Sequence, residues 1–255
     1  MSSRYEGRRV IVTGAGSGIG QGVALRLLAE GARLVAADVN EAGLAATVEA
    51  APAAQRERLR TLTIDIADQE SVRAVTAEAL EFLGGLDVLV NAAGILRAAH
   101  THEMPLEDWN KVISVNLTGT FLMIRSALPA LIESGRGVIV NFSSTSAFGS
   151  NPYMAAYSAS KAGVNALTHS IALEYVKKGL RAVNIVPGGI SSGITSGLAL
   201  PADADWSLMA RLPGWIEGGA LGKPEDIAGV VAMAASDDGR YMTGTELRVD
   251  GGALM

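Results

Sequence analysis

The stretch Thr13-Gly14-Ala15-Gly16-Ser17-Gly18-Ile19-Gly20 joins a short apolar run, Arg9 to Thr13, to a segment of helical period. Three of its glycines have separate physical reasons: Gly14 permits a tight turn, Gly18 lets the backbone approach a diphosphate, and Gly20 allows close packing of helix on strand. The amino end of the helix offers unpaired N–H groups to an anion. The spacing is GxxxGxG rather than GxGxxG, and an ordinary tight turn is the alternative interpretation.

An acid follows this loop at an informative distance. Asp38 ends the apolar run 33–38, about 20 residues downstream, where a carboxylate can accept both ribose hydroxyls of a dinucleotide. The alternative is a polar strand end or a cap for the helix that starts near Glu41. A 2′-phosphate would be repelled by Asp38, and neither Ser17 nor Val39 supplies an arginine to offset the repulsion. The predicted cofactor is therefore NAD rather than NADP.

Short β-rich runs alternate with longer segments of helical period along the chain, which is typical of βαβ units around a parallel sheet. The predicted strands are 9–13, 33–38, 61–65, 86–91, 137–143, 181–186 and 246–249. The predicted helices are 18–30, 41–50, 69–83, 107–133, 152–178 and 224–235. We expect an α/β fold with a seven-stranded sheet, in which residues 1–255 form one domain and the irregular stretch 188–222 is a lid over the substrate.

Composition excludes several classes of protein. The 255 residues include 30 glycines and no cysteine, and 49% are hydrophobic, which excludes a disordered chain, disulfides and thiolate catalysis. The net charge of -5 gives no field for nucleic acid, and the histidines His100, His102 and His169 are too scattered for a metal site. No run approaches the ~18 apolar residues of a membrane span, and no signal peptide is evident. We expect a soluble cytoplasmic protein.

A tyrosine and a lysine stand four residues apart in Ala156-Tyr157-Ser158-Ala159-Ser160-Lys161, so both project from one helix face. To act as a base, Tyr157 needs a pKa well below its usual value near 10, and an adjacent ammonium favours the phenolate. Such pairs also occur by chance on helices. The polar run 141–146 ends the fifth predicted strand just before this helix, which places Ser144 to bond a substrate oxygen.

Five motifs in order resemble the short-chain dehydrogenase/reductase family across nearly the whole chain. They are TGAGSGIG at 13–20, NAAG at 91–94, NLTG at 116–119, the serine thirteen residues before YSASK at 157–161, and PGGI at 187–190. The resemblance implies a Rossmann-like, doubly wound oxidoreductase that interconverts a secondary alcohol and a ketone by hydride transfer. It also implies a homotetramer, or less often a dimer, built partly through helices 107–133 and 152–178.

The resemblance assigns a role to each residue of a catalytic tetrad. Tyr157 would be the acid/base, Lys161 would lower its pKa and bind the nicotinamide ribose, and Ser144 would orient the substrate. Asn116 would hold a water that relays protons, although a buried amide that bridges backbone groups is the alternative. The implied cofactor contacts are Gly14, Ser17, Gly18, Ile19, Gly20, Asp38, Asp65, Ile66, Asn91, Ala92, Gly94, Tyr157, Lys161, Pro187, Gly188, Ile190 and Ser192. Ser192 stands where the family usually has threonine, and it keeps the hydroxyl.

Apolar residues in and near the lid indicate a hydrophobic or cyclic alcohol, such as a steroid or terpenoid. They are Phe148, Tyr153, Met154, Leu198, Trp206, Met209, Leu212 and Trp215. The predicted substrate contacts are Ser144, Ser146, Tyr153, Tyr157 and Trp206. Alternatives stay open: these side chains only pack the lid, or the protein is an acyl-carrier-protein reductase, a sugar or polyol dehydrogenase, or a catalytically idle dinucleotide sensor. Acyl-carrier-protein reductases usually take NADP, which Asp38 disfavours.

Overall fold

Seven short strands in the computed structural model, which describes residues 3–149, 151–209, 216 and 220–255, form a single sheet. They are β1 (Arg9–Thr13), β2 (Arg33–Asp38), β3 (Leu59–Thr63), β4 (Val88–Asn91), β5 (Val138–Phe142), β6 (Arg181–Pro187) and β7 (Thr245–Val249). Every pairing is parallel and the order is β3-β2-β1-β4-β5-β6-β7. The predicted Rossmann-like fold is confirmed.

Helices connect the strands and cover both faces of the sheet. They are α1 (Gly18–Ala29), α2 (Glu41–Ala50), α3 (Gln69–Leu83), α4 (Leu106–Ile113), α5 (Thr120–Glu133), α6 (Ala155–Tyr175), α7 (Gly193–Ser196), α8 (Trp206–Met209) and α9 (Pro224–Ala234). Alternate strand residues enter opposite cores, because successive side chains of a strand point to opposite faces. Val10 and Val12 pack with α1 and α9, whereas Ile11 packs with α3, α5 and α6.

Three differences from the predicted elements have reasons that local sequence does not show. The edge strand β3 begins at Leu59 and ends at Thr63, two residues before the predicted run. The helix predicted for 107–133 contains a π-helical turn, Ser114–Gly119, between α4 and α5. The helix predicted from residue 152 begins at Ala155, because Tyr153 has a φ of 67°, which no helical residue adopts.

The helical run Leu106–Glu133 bears on the expectation that no segment spans a membrane. By length and composition it could cross a membrane, with a mean hydropathy of 1.4 in its most apolar stretch. One such helix is weak support for a membrane span, because the core helix of a soluble protein passes the same test. Here 44% of the stretch is buried inside the protein, and Leu122, Met123 and Leu131 pack in the core beneath the sheet.

A buried carboxylate holds together the amino edge of the sheet, the edge opposite the loops described below. Asp87 is fully buried and accepts hydrogen bonds from Arg9 Nε at 2.9 Å and Arg136 Nε at 2.9 Å. Burial alone would raise the pKa of Asp87, but the bonds from both arginines outweigh it and lower the pKa to about 2. Because the folded pKa is depressed, this contribution to stability is present above about pH 4 and is lost as the pH falls toward 2.

We expect Asp87→Ala to lower the free energy of unfolding by about 3 kcal/mol, because it leaves two guanidinium groups without their buried partner. Urea denaturation at neutral pH measures the loss. The control is Glu78→Gln, which removes a partly exposed pair with Arg60 at 3.1 Å and should cost less than about 1 kcal/mol. Equal effects of the two substitutions would contradict the assignment.

Candidate active site

The functional residues converge at the carboxyl edge of the sheet, where its winding direction reverses. The chain leaves β1 toward β2 and β3 on one side and returns to place β4 on the other. Such a switch point opens a crevice beyond the strand ends, because the loops on the two sides diverge. A cleft of about 420 Å³ lies there.

Most of the predicted site residues line this one cleft. From the cofactor set they are Gly14, Ser17, Gly18, Ile19, Gly20, Asp38, Asp65, Ile66, Ala92, Gly94, Pro187, Gly188, Ile190 and Ser192. Ser144, Tyr157 and Lys161 line it as well. The structure therefore brings together, in one crevice, residues that are up to 178 positions apart in the sequence, between Gly14 and Ser192.

The glycine loop leaves no room for side chains against its neighbours. Gly14 has a φ of +69°, and a Cβ there would lie 2.6 Å from the Ala93 backbone nitrogen. A Cβ on Gly20 would lie 2.1 Å from the Gly14 carbonyl oxygen. The contacts agree with the turn and packing roles predicted for these two glycines.

The amino end of α1 fits the diphosphate of a dinucleotide. Ser17 is the N-cap, yet its side chain makes no capping hydrogen bond, and the first turn holds no acid. The first N–H groups of α1 therefore keep their donor capacity, and the positive end of the helix dipole faces the cleft.

Asp38 closes the same end of the cleft. Its Oδ2 accepts from the Gly16 backbone N–H at 2.8 Å, and its Oδ1 accepts from the Asn40 N–H at 2.9 Å. The side chain that caps α2 is Asn40, which accepts from the Gly43 N–H at 3.1 Å. Asp38 is thus held against the glycine loop rather than used as the cap of α2.

The other end of the cleft holds Ser144, Tyr157 and Lys161. Ser144 follows β5, and its Oγ accepts from the Ser146 N–H at 3.1 Å. Tyr157 and Lys161 lie one helical turn apart on α6, and the Lys161 ammonium lies 5.7 Å from the centre of the Tyr157 ring. Lys161 Nζ donates to the Phe142 carbonyl at 2.8 Å, which fixes the ammonium at the end of β5.

The electrostatics differ in part from the expectation that Lys161 lowers the pKa of Tyr157. Burial of its hydroxyl raises the pKa of Tyr157, and a hydrogen bond from Ser144 opposes that rise. Burial also lowers the pKa of Lys161 to about 8, so the ammonium still carries most of its charge at pH 7. In the polypeptide itself, enclosure outweighs the attraction of the ammonium for a phenolate.

Hydrogen bonds between buried side chains fasten α6 to the sheet. Asn91, Asn141 and Asn184 lie side by side in register on β4, β5 and β6. Asn91 Nδ2 donates to Asn141 Oδ1 at 2.8 Å. Asn141 Nδ2 in turn donates to Thr168 Oγ1 at 2.8 Å. Thr168 Oγ1 then donates to Asn184 Oδ1 at 2.9 Å. Thr168 lies two turns beyond Lys161 on α6, so this row sets the position of Lys161 on the sheet.

Asn116 stands in the π-helical turn and does not line the cleft. Its Oδ1 accepts from the Ile95 N–H at 2.8 Å, and its Nδ2 donates to the Ile95 carbonyl at 2.9 Å and to Ser160 Oγ at 3.0 Å. Asn116 therefore makes the hydrogen bonds expected of a buried amide that bridges backbone groups, which the sequence analysis gave as the alternative to a water-holding role. They tie the loop after β4 to α6.

Several predicted residues lie away from the cleft wall. Asn91 is in the buried amide row, and Ser146 lies behind Ser144. The Tyr153 hydroxyl accepts from the Asp205 N–H at 2.9 Å, and Trp206 is 71% exposed. Leu212, Trp215 and the side chain of Met209 lie outside the described residues.

The cleft also contains residues that the sequence analysis missed. They are Val39, Asn40, Ile64, Ala93, Ile95, Lys111, Val115, Phe142, Ser143, Gly193, Ile194 and Thr195. Many are direct neighbours of predicted residues, and widening each motif by one position would have found them. Lys111 is different, because it lies five positions before the motif at 116–119 and no motif marked it as part of a site.

Comparisons with known proteins agree with this geometry. The sequence profile of a family described as Enoyl-(Acyl carrier protein) reductase matches residues 14–253. The chain is 38% identical over 252 residues to a 2,5-dichloro-2,5-cyclohexadiene-1,4-diol dehydrogenase of Sphingobium indicum, with 99% of this chain and 98% of that protein covered. It is 39% identical over 257 residues to 3beta-hydroxysteroid dehydrogenase 1 of Eggerthella lenta, with 100% and 97% covered.

A solved structure extends the likeness to three dimensions. A dehydrogenase/reductase from Sinorhizobium meliloti 1021 has a TM-score of 0.85 to this chain at 34% identity, and the match covers 99% of this chain and 98% of that one. The chain therefore belongs to the short-chain dehydrogenase/reductase family of oxidoreductases, whose members generally use nicotinamide cofactors.

Proposed function

We propose that this protein is an NAD-dependent enzyme that interconverts a secondary alcohol and a ketone. The observation that carries the proposal is the single cleft, with the glycine loop and Asp38 at one end and Ser144, Tyr157 and Lys161 at the other. A dinucleotide-binding protein without activity has no need of a buried lysine beside a tyrosine. The intact set therefore favours an enzyme over an idle sensor.

NAD would be held along the length of this cleft. The amino end of α1 would bind its diphosphate, Asp38 the adenosine ribose, and Lys161 the nicotinamide ribose. Pro187 and Ile190 would lie against the nicotinamide. When bound, the nicotinamide supplies the chemistry of hydride acceptance or donation.

The protein's own residues would handle the proton and position the substrate. In the oxidation direction Tyr157 takes the proton of the substrate hydroxyl, and in the reduction direction it returns one to the carbonyl oxygen. Ser144 donates a hydrogen bond to the same oxygen. Because burial raises the pKa of Tyr157, its resting form is the neutral phenol, and the Lys161 ammonium stabilises the phenolate that oxidation requires.

A hydrophobic or cyclic alcohol is the proposed substrate class. Two of the similar dehydrogenases are named for ring compounds, a cyclohexadiene diol and a 3beta-hydroxysteroid. The profile description, by contrast, names acyl-carrier-protein chemistry, which keeps that class as the second candidate. Assaying cyclic alcohols, polyols and 3-hydroxyacyl thioesters with NAD, by the absorbance of NADH, distinguishes these substrate classes. No activity on any of them, together with tight NADH binding, would favour the idle sensor.

The segment from Gly188 to Gly222 acts as a substrate lid in this proposal, within one domain of 255 residues. Ile190 and Gly222 form a parallel bridge, and the Ser191 N–H donates to the Gly222 carbonyl at 2.8 Å, so the two ends of the segment are joined. Its middle contacts loops beside the catalytic helix through Asp203, which bonds His100 at 2.9 Å. These contacts support an excursion that covers the Tyr157 end of the cleft.

We expect Tyr157→Phe to reduce turnover at least about 100-fold, because the variant cannot move the substrate proton. Steady-state kinetics with NAD measures the loss, and NADH fluorescence should show that cofactor binding is kept. The control is Tyr175→Phe, which removes the hydroxyl at the far end of the same helix and should leave turnover unchanged. Near-normal turnover of Tyr157→Phe would overturn the proposed mechanism.

We expect Asp38→Asn to lower the ratio of kcat/KM for NAD over NADP by at least about tenfold, because it removes a carboxylate charge that repels a 2′-phosphate. The amide oxygen can still accept one of the two backbone hydrogen bonds. The matched control is Glu41→Gln, a nearby acid outside the cleft, which should leave the ratio as it is. A wild-type enzyme that uses NADP as well as NAD would contradict the cofactor assignment.

A homotetramer is the proposed assembly, with a dimer as the second possibility. Apolar side chains point outward near the long helices, among them Phe121, Leu173 and Val176, and Leu173 is 80% exposed. Such residues gain stability when a second copy covers them. Sedimentation velocity should give four times the chain mass, whereas a monomer at micromolar concentration would contradict the proposal.

A cytoplasmic location belongs to the same proposal. The chain has no cysteine, which suits a reducing compartment. Fractionation of cells that express the tagged protein, followed by immunoblotting, tests the location.

A further inference from the structure

Residues 201–205 of the proposed lid, here called the lid turn, are fastened to the rest of the protein at two points. Asp203 Oδ1 lies 2.9 Å from His100 Nε2. The Asp205 backbone N–H donates to the Tyr153 hydroxyl at 2.9 Å. The Asp203 side chain is 78% exposed and that of His100 is 26% exposed. The lid turn is thus held at the surface by one side-chain pair and one hydrogen bond from its backbone.

Both fastening points lie on loops that lead to the Tyr157 end of the cleft. His100 is on the loop that follows β4, five positions after Ile95, which lines the cleft. Tyr153 is on the loop before α6, four positions before Tyr157. The two loops are also joined to each other, because the Ala99 N–H donates to the Tyr153 carbonyl at 2.9 Å. The lid turn therefore rests on the junction of two loops that continue the cleft wall.

The backbone of Tyr153 is strained, and contacts from this junction hold it in place. Its φ of 67° lies in the left-handed region, which a residue with a side chain keeps only where its surroundings fix it. The carbonyl accepts from Ala99 and the hydroxyl accepts from Asp205. The ring meets the His100 ring edge-on, with 5.2 Å between the ring centres. One of these contacts comes from the lid turn, so the turn and the strained residue support each other.

The charge of His100 changes in the physiological range of pH, whereas the backbone hydrogen bond to Tyr153 carries no charge. The hydrogen bond with Asp203 raises the pKa of His100 and lowers the pKa of Asp203. Because pairing raises the histidine pKa, the extra attraction is fully present below the ordinary value near 6.5 and is lost as the pH rises through the higher value of the paired form. A neutral imidazole can still donate one N–H, but a charge-assisted hydrogen bond is roughly twice as strong.

We propose that these contacts form a clasp that holds the lid turn firmly while His100 carries its second proton and loosens when that proton is lost. The clasp consists of His100, Tyr153, Asp203 and Asp205. The proposal rests on the proposed function for the statement that the turn belongs to a substrate lid, but the clasp itself is a property of the polypeptide. It gives Tyr153, predicted from the sequence as a substrate contact, the role of holding the lid turn.

Further titratable side chains lie near His100 on each element that meets it. On its own loop, Glu103 also raises the pKa of His100 through its charge, and the His102 ring lies 5.8 Å from the His100 ring. The loop before α6 contributes Tyr153, and the lid turn contributes Asp205 as well as the partner of His100. Glu103 and His102 stay on the same loop as His100 whether or not the lid turn is held, so they do not couple its proton to the turn.

Hydrogen exchange tests the clasp without substrate or turnover. The Asp205 amide is itself the donor to Tyr153, so its protection reports whether the lid turn is held. We expect this protection, corrected for the intrinsic effect of pH on exchange, to fall about two- to fivefold as His100 loses its proton, which is the range for an exposed ion pair. Pulse labelling with mass spectrometry of the 201–205 peptide measures the protection. NMR of histidine labelled at Cε1 gives the midpoint of His100, and His100→Gln identifies its signal.

Asp203→Asn is the decisive variant, because the amide keeps the shape of the side chain and an acceptor oxygen but has no charge. We expect the midpoint of His100 to fall toward the ordinary histidine value and the pH dependence of the protection to disappear. His100→Gln should remove the pH dependence as well. The matched control is His102→Gln, two positions away on the same loop, which should keep it. PH dependence that persists in Asp203→Asn would overturn the proposal.

Tyr153→Phe tests the uncharged half of the clasp, because it removes the hydroxyl that accepts from Asp205. We expect protection of the Asp205 amide to be lower than in the wild type at every pH. Equal protection in the two proteins would refute the clasp. Because these measurements use no substrate, a failure of the clasp is distinct from a failure of the proposed function: if Tyr157→Phe keeps turnover, the function fails, and the exchange of the lid turn still decides the clasp.

Discussion

The amide row of Asn91, Asn141 and Asn184 is the interaction on which the rest of the site depends. Apolar contact alone is non-directional, so it specifies the register of a covering helix on a sheet less strictly than hydrogen bonds do. Buried amides cannot slide in this way, because each lost hydrogen bond leaves an unpaired polar group away from water. By joining three strands to Thr168, the row gives α6 one register on the sheet. The spacing between the strand ends and the turns of α6 follows from that register.

The two ends of the cleft are built on different physical grounds. The glycine-loop end depends on the absence of side chains, since backbone meets backbone at distances where no Cβ fits. The Tyr157 end depends on burial, which removes water from a phenol and an ammonium. The low local dielectric strengthens each hydrogen bond there. Asn116 adds a further tie, because its amide holds the loop that follows β4 while also bonding Ser160 on α6. A residue that does not itself line the cleft thus joins one of its loops to the helix that carries Tyr157.

The sequence predicted the elements whose signals are local in the chain, and it missed features that depend on contacts between distant residues. The bounds of β1, β2, α2 and α3 agree with the prediction, because their turn residues, caps and apolar runs lie next to each other in the chain. The π-helical turn at Asn116 and the backbone of Tyr153 were missed, because both are set by tertiary contacts with distant residues. For the site, the motifs identified most of the cleft wall. They did not identify Lys111, which joins the cleft wall only through folding.

The bridge that joins the two ends of the segment between Gly188 and Gly222 affects which parts of the chain can change in evolution. Because the Ile190–Gly222 bridge closes the excursion at its base, β6 and α9 are placed without regard to the chain between them. Extending a closed loop costs entropy only with the logarithm of its length. The chain beyond Thr195, the last residue of this segment that lines the cleft, can therefore change in length while the strand and helix that flank the segment keep their places.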